Sequence, residues 1–269
     1  MKYYYPIKKT IKVFIYSLIF FFKIKKNENL LATLPRSGTH LTFGLINICY
    51  AMKLGYKGIL GTIDNNYSTF AKLQQPFDER SIFKEDSAEV LWHSHLPYSK
   101  ITPLRKKFCK TIVLIREPVE GVKSFFLHST VHEGLKFTRK KISLKKFLEI
   151  DKKKQFVKHY SEFLDSWYTR KISSKLNQIV IIDNEVIKKN IFFYLKFLNK
   201  FFRFNFTTKQ MKNAVSELDI RKIKKTLSDR SIRITNQKLF FSEDVEIYIK
   251  KKCYKKYLRL SLLAKNKLN

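Results

Sequence analysis

Residues 30–40 read Leu30-Leu31-Ala32-Thr33-Leu34-Pro35-Arg36-Ser37-Gly38-Thr39-His40 and run straight into an apolar, helix-like stretch from Leu41 to Met52. The segment from Leu30 to Leu34 has the composition of a buried strand. A tight turn with one Gly and two hydroxyls, followed at once by a helix start, aims backbone N–H groups at a bound phosphate. The same turn also serves as an ordinary strand-to-helix connection with capping hydroxyls. The segments that follow decide between the two.

Beyond the first helix, Gly55 to Asp86 is polar and irregular and predicts loops and short helices lining a cleft. A second strand is expected at Ala88 to Trp92, ending in His93-Ser94-His95-Leu96-Pro97. A third, Lys110 to Ile115, is β-branched and ends at Arg116. Pro118 fits the first turn of the next helix, with Glu117 favourably placed near its N-terminus. A long amphipathic helix is expected around Gln155 to Lys171, a fourth strand at Gln178 to Ile182, and mostly helix from Asn184 onward. Continuous apolar strands alternating with helices imply an α/β fold, in which a mainly parallel central sheet is covered on both faces in three αβα layers. Ligands of such sheets sit at the carboxyl ends of the strands. Those ends carry Pro35 to Thr39, His93 with His95, and Arg116, so three separate segments place polar groups at one edge.

Composition bounds the remaining possibilities. In 269 residues, 44% hydrophobic and 15% aromatic side chains suffice for one sizeable core and argue against disorder. The formal net charge is +33, but only 11 of the 55 basic residues are Arg, the rest being Lys. That skew reads as compositional bias as readily as selection for an anionic partner, so the charge by itself assigns nothing. Cys49, Cys109 and Cys253 lie far apart without CxxC spacing, which indicates neither a zinc site nor a disulfide framework. A reducing, cytoplasmic setting is expected. At the N-terminus, Val13 to Phe22 is an apolar run flanked by Lys8, Lys9, Lys12, Lys23, Lys25 and Lys26. It is too short to span a bilayer, which takes about 20 residues, and no small-residue cleavage site follows it. A basic, aromatic segment over 1–27, lying on a membrane surface or packed on the domain, would then precede a single domain over 28–269.

Three motifs in order make the chain resemble the sulfotransferase family, whose members take a sulfuryl group from 3′-phosphoadenosine 5′-phosphosulfate (PAPS). Pro35-Arg36-Ser37-Gly38-Thr39 resembles the loop that holds the 5′-phosphosulfate. Arg116 at a strand end, with Ser124 eight residues later, has the spacing of the pair that grips the 3′-phosphate. Ser94-His95-Leu96-Pro97 is similar to the Thr-His-Leu-Pro segment whose His is the base in the cytosolic branch. The resemblance spans roughly Leu30 to Tyr257 and implies a fold like that of P-loop NTPases, PAPS as co-substrate and no metal. It implies donor-site roles for Pro35, Arg36, Ser37, Gly38, Thr39, His40, Arg116 and Ser124, and catalytic roles for His95, Arg36 and His93. His93 stands where cytosolic members tend to have Lys, and Arg36 replaces their loop Lys. The C-terminal Arg-Lys-Gly segment is not recognisable, and Arg230 or Arg233 falls in about its place. Asp183-Asn184-Glu185 is only loosely similar to an acidic family segment, and Trp167 reads as core.

The chemistry of the residues agrees. Sulfuryl transfer needs the departing phosphate neutralised and the attacking hydroxyl deprotonated, which is mostly positioning and electrostatics. Arg36 meets the first need and His95, titrating near neutrality, the second. A nucleotide-dependent phosphotransferase would share the sheet, but its loop needs Lys after the second Gly, and Thr39 follows Gly38. A non-enzymatic basic protein for nucleic acid or anionic membranes is the other alternative, although the aromatic residues fall mainly in apolar segments suited to a core. The acceptor stays open between a glycan, a lipid and a small molecule. The loop and the N-terminal run favour a carbohydrate or lipid, whereas the His95 segment favours small molecules.

Overall fold

The computed structural model describes residues 28–53, 72–74, 90–95, 97–98, 108–132, 141–173, 179–217 and 240–264. The N-terminal segment, Arg230 and Arg233 lie outside them. The centre is a parallel five-stranded sheet in the order β2 (Lys72–Gln74), β3 (Val90–Ser94), β1 (Glu28–Thr33), β4 (Phe108–Ile115), β6 (Ile179–Asp183). Leu31 pairs with His93 on one side of β1 and with Ile112 on the other, and Ile115 pairs with Asp183. The chain leaves β1 for β2 and β3 on one flank and then crosses to β4 and β6 on the other. Loops diverge at such a reversal and leave a crevice at the strand ends.

Strand alternation sorts the apolar side chains into two cores. Leu30, Ala32, Val113, Ile115 and Ile181 face one way, against α2 (Pro118–His132), α3 (Leu144–Lys154), α4 (Phe156–Ser173) and α8 (Glu243–Ser261). Leu31, Ile112, Leu114 and Ile182 face the other, against α1 (Thr39–Lys53), α5 (Asn184–Lys189), α6 (Ile191–Phe202) and α7 (Thr208–Glu217). Trp167 is 1% exposed, as its core reading expects. Burying such a side chain contributes about 1.5–3 kcal/mol or more, so these two interfaces hold the sheet edge that carries the site.

Three differences from the sequence reading have local causes. The strand before His95 runs two residues past its expected end at Trp92, its described residues being Val90–Ser94, so His93 belongs to the strand rather than to the loop. The edge strand β2 was not foreseen, because three residues are too few to show alternation. The amphipathic helix begins at Phe156 and follows a second helix, α3, from which Gln155 separates it with a left-handed backbone (φ 57°). Asp151 makes that break, accepting from Gln155 N–H on its carbonyl (2.6 Å) and from Val157 N–H on its carboxylate (3.1 Å). A further two-residue pairing, Lys141–Ile142 (β5) with Phe240–Phe241 (β7), ties the start of α3 to the start of α8.

Candidate active site

The loop after β1 is folded by its own side chains. Leu34 N–H donates to Leu114 O of the neighbouring strand, and Ser37 N–H donates back to Leu34 O, each at 3.1 Å. Ser37 Oγ is fully buried and donates to Leu34 O (2.6 Å) and Leu114 O (3.3 Å). Thr39, 6% exposed, donates its hydroxyl to Thr33 Oγ1 at 2.8 Å. Both hydroxyls expected to cradle a phosphate are therefore engaged inside the protein, bracing the loop. Pro35 is buried beneath it. The backbone amides carry the polar character instead, since the first helical bond of α1 runs from Thr42 N–H to Gly38 O. The amides of Thr39, His40 and Leu41 lie ahead of that bond and have no carbonyl within the helix. Here the helix dipole is positive. The side chain of His40 lies outside the described residues, as does that of His93.

Two loop residues occupy the left-handed region, Gly38 (φ 108°) and Arg36 (φ 67°). Gly38 needs its lack of a side chain, because a Cβ there would lie 3.0 Å from Asn184 Nδ2. Asn184, buried at the end of β6, donates that nitrogen to Ser37 O at 2.9 Å. Arg36 has no such freedom and its conformation costs energy. Arg116 offsets this by donating Nη1–H to Arg36 O at 3.0 Å. Arg36 in turn points its Nε at Ser124 Oγ, 3.3 Å away on α2. The structure thus brings together Arg36, Arg116 and Ser124, separated by up to 88 residues in the chain.

The electrostatics of this cluster are those of an anion site. Burial, and then the charge of Arg116, lower the pKa of Arg36 from its ordinary value. A guanidinium nevertheless stays protonated, so two like charges are held side by side at a cost. Among the described residues no carboxylate pairs with Arg36, and Arg116 has only Glu120, 3.7 Å away and 57% exposed. Arg116 Nε is buried without a hydrogen-bond partner. Beneath Arg116 the helix passes close over Tyr160: a Cβ on Gly121 would fall 1.6 Å from the Tyr160 hydroxyl, which is itself buried and unpartnered.

His95 sits at the neighbouring strand end. Its Nδ1 is 2.8 Å from Thr33 O and 3.0 Å from Thr33 Oγ1. A carbonyl only accepts, so Nδ1 carries the hydrogen and the lone pair is on Nε2. Burial holds the imidazole pKa below its ordinary value, opposed in part by the bond to Thr33. The neutral, proton-accepting form is thus the resident one at neutral pH. On the far side, Asp183 closes the edge, accepting from Glu185 N–H at 3.0 Å and from Tyr257 O–H at 2.6 Å. Thr33, Asn184 and Gly121 were not singled out from the sequence. The first stood inside an apolar run, the second in a weakly similar segment, and the third was one Gly in a helix.

A family model for the sulfotransferase domain matches residues 26–265. Among solved structures, a mouse sulfotransferase complexed with PAP superposes with a TM-score of 0.53 at 18% identity, covering 80% of this chain and 74% of that one. Retinol dehydratase in a complex with retinol and PAP gives 0.53 at 16% identity, covering 88% and 83%. The same enzyme with androsterone and PAP gives 0.50 at 16% identity, covering 89% and 82%. No curated protein sequence matches.

Proposed function

The chain belongs to the sulfotransferase family, and from that premise we propose that it transfers the sulfuryl group of PAPS to a hydroxyl of a glycan, lipid or small-molecule acceptor. One observation carries the reading: Arg36, Arg116 and Ser124 meet beside the amides of α1, one strand away from a histidine whose Nε2 holds a lone pair. In the proposed reaction His95 Nε2 takes the proton of the acceptor hydroxyl. The acceptor oxygen forms a bond to sulfur as the bond from sulfur to the bridging phosphate oxygen breaks. 3′-Phosphoadenosine 5′-phosphate (PAP) leaves with the electron pair, and Arg36 stabilises its developing charge. The loop amides and Arg36 would take the 5′-phosphate end of the donor. Arg116 and Ser124 would take the 3′-phosphate, with Arg230 or Arg233 as a further contact. A charge-assisted contact of this kind contributes about 1.5–3 kcal/mol, more than the helix dipole at about 0.3–1 kcal/mol, so the two arginines dominate donor affinity. Neighbours crystallised with retinol and androsterone support an acceptor with a lone hydroxyl on an apolar body, as does His95 in the base position. A glycan or lipid acceptor is favoured instead by the N-terminal basic and aromatic run.

Calorimetric titration with PAP and sulfation of a lysate of the source with labelled PAPS test this directly. Saturable PAP binding that Arg116→Ala abolishes, with label appearing in an acceptor, is the expected result. Absence of both PAP binding and transfer would sink the proposal. The chemical class of the labelled product then selects the acceptor.

A further inference from the structure

Thr33 is the last residue of β1 and is fully buried. Two of its oxygens face one nitrogen: the carbonyl oxygen lies 2.8 Å and the hydroxyl oxygen 3.0 Å from His95 Nδ1. The same hydroxyl oxygen accepts from Thr39 Oγ1 at 2.8 Å. Thr39 is the first residue of α1 and belongs to the loop built from Leu34. Thr33 therefore touches the histidine on one strand end and the anion loop on its own, although 62 residues separate it from His95 in the chain.

We propose that Thr33 is a positioning residue of the transfer reaction. It holds His95 as the Nδ1–H tautomer and fixes the ring against the loop that takes the donor. The proposal rests on reading His95 as the base. The physical case has two parts. A neutral imidazole can carry its hydrogen on either nitrogen, and only the form protonated at Nδ1 can accept a proton at Nε2. The Thr33 carbonyl, which only accepts, selects that form, and the hydroxyl oxygen lies 3.0 Å from the same nitrogen. Ring orientation follows as well, since both oxygens belong to one residue whose backbone pairs with Leu114 of β4 and follows Ala32, which pairs with Ser94 of β3. The Thr39 hydroxyl donates to the Thr33 hydroxyl, so the base and the amides at the start of α1 share a single reference point. Proton abstraction depends on base placement to within fractions of an ångström, which gives such a shared anchor a kinetic role.

The test uses the full-length chain with 15N-labelled histidine and, once an acceptor is in hand, steady-state kinetics. In the wild-type protein, the His95 nitrogen shifts are expected to show Nδ1 protonated and Nε2 unprotonated at neutral pH. Thr33→Val keeps the shape and removes the hydroxyl. Because the carbonyl remains, the nitrogen shifts are expected to stay those of the Nδ1–H form, while loss of the hydroxyl that joins the ring to Thr39 is expected to lower kcat about tenfold or more and by a larger factor than PAP affinity. Thr33→Ser, which restores the hydroxyl, should recover most of the lost kcat. A wild-type His95 protonated at Nε2, or a Thr33→Val protein with unchanged kcat, would overturn the proposal. Failure of the underlying reading looks different, because His95→Gln would then retain full turnover whatever Thr33 does.

Discussion

At the residue scale, the site is a set of side chains whose protonation and packing are set by burial. His95 is held below its ordinary pKa of 6.5 by desolvation, with the Thr33 bond opposing. On the proposed role of His95 as the base, the neutral form is the active one, so activity is lost only as pH falls through that depressed value. The acid limb of kcat/KM for the wild-type enzyme should thus lie below pH 6.5, with no loss between pH 7 and 8. A limb above 7 would contradict the burial argument. Gly121 and Tyr160 predict a pair of opposite effects. Gly121→Ala drives a methyl into the Tyr160 ring and should cost about 1–3 kcal/mol in a denaturant titration, with weaker PAP binding through displacement of the start of α2. Tyr160→Phe deletes a hydroxyl that has no partner, and should leave stability unchanged or raise it by up to about 1 kcal/mol. Arg36, Ser37, Gly38, Thr39, Arg116, Ser124 and His95 stood out in the sequence because each belongs to a short motif with fixed spacing, and the structure brings Arg36, Arg116 and Ser124 together. The duty of Ser37 and Thr39 was not, since a hydroxyl turned inward to Leu34 O or Thr33 Oγ1 has the same sequence as one turned outward. His93 shows the same limit, standing in β3 in register with Leu31.

At the scale of the element, strands β1, β4 and β6 were readable as apolar runs, because both of their faces are covered and most of their described positions are buried. The junction between α3 and α4 was not. Its signal is one carboxylate bonded to a backbone N–H six residues on, which no periodicity records. Gln155 there adopts φ 57°, a conformation that Gly accepts without a steric penalty. Gln155→Gly should therefore hold stability or raise it by up to about 1 kcal/mol, whereas Gln155→Val should lower it, both read from thermal melts. Asp151 is buried, and desolvation holds its carboxyl above the usual value in spite of bonds from Val157 and Phe156 N–H. Asp151→Ala should cost about 0.5–2 kcal/mol, as does loss of a helix cap. Asp151→Asn keeps the accepting oxygen, sheds the buried charge, and should lose less.

At the scale of the whole molecule, a net charge of +33 surrounds a site already built from two adjacent guanidiniums. Electrostatic attraction of an anionic donor falls with ionic strength, because the screening length shrinks from about 10 Å at 0.1 M to about 3 Å at 1 M. Stopped-flow association of PAP should therefore slow by tenfold or more between 0.05 and 0.5 M salt, with dissociation less affected. An association rate indifferent to salt would mark the charge as compositional bias. Sequence alone determined the α/β class, because alternating apolar strands and helices have few ways to bury both faces of a parallel sheet. It also determined the strand-to-helix turn at the proposed donor loop, because Pro35 to Thr39 lies within one turn of chain. Only the tertiary structure decided which groups meet across that chain: Arg36 with Ser124, Arg116 with the Arg36 carbonyl, Asn184 with the loop, and Thr33 with His95. The reason is physical. Periodicity and spacing report contacts within a turn or a strand, whereas these depend on strand order and register, which are set by the packing of the whole sheet between its helices.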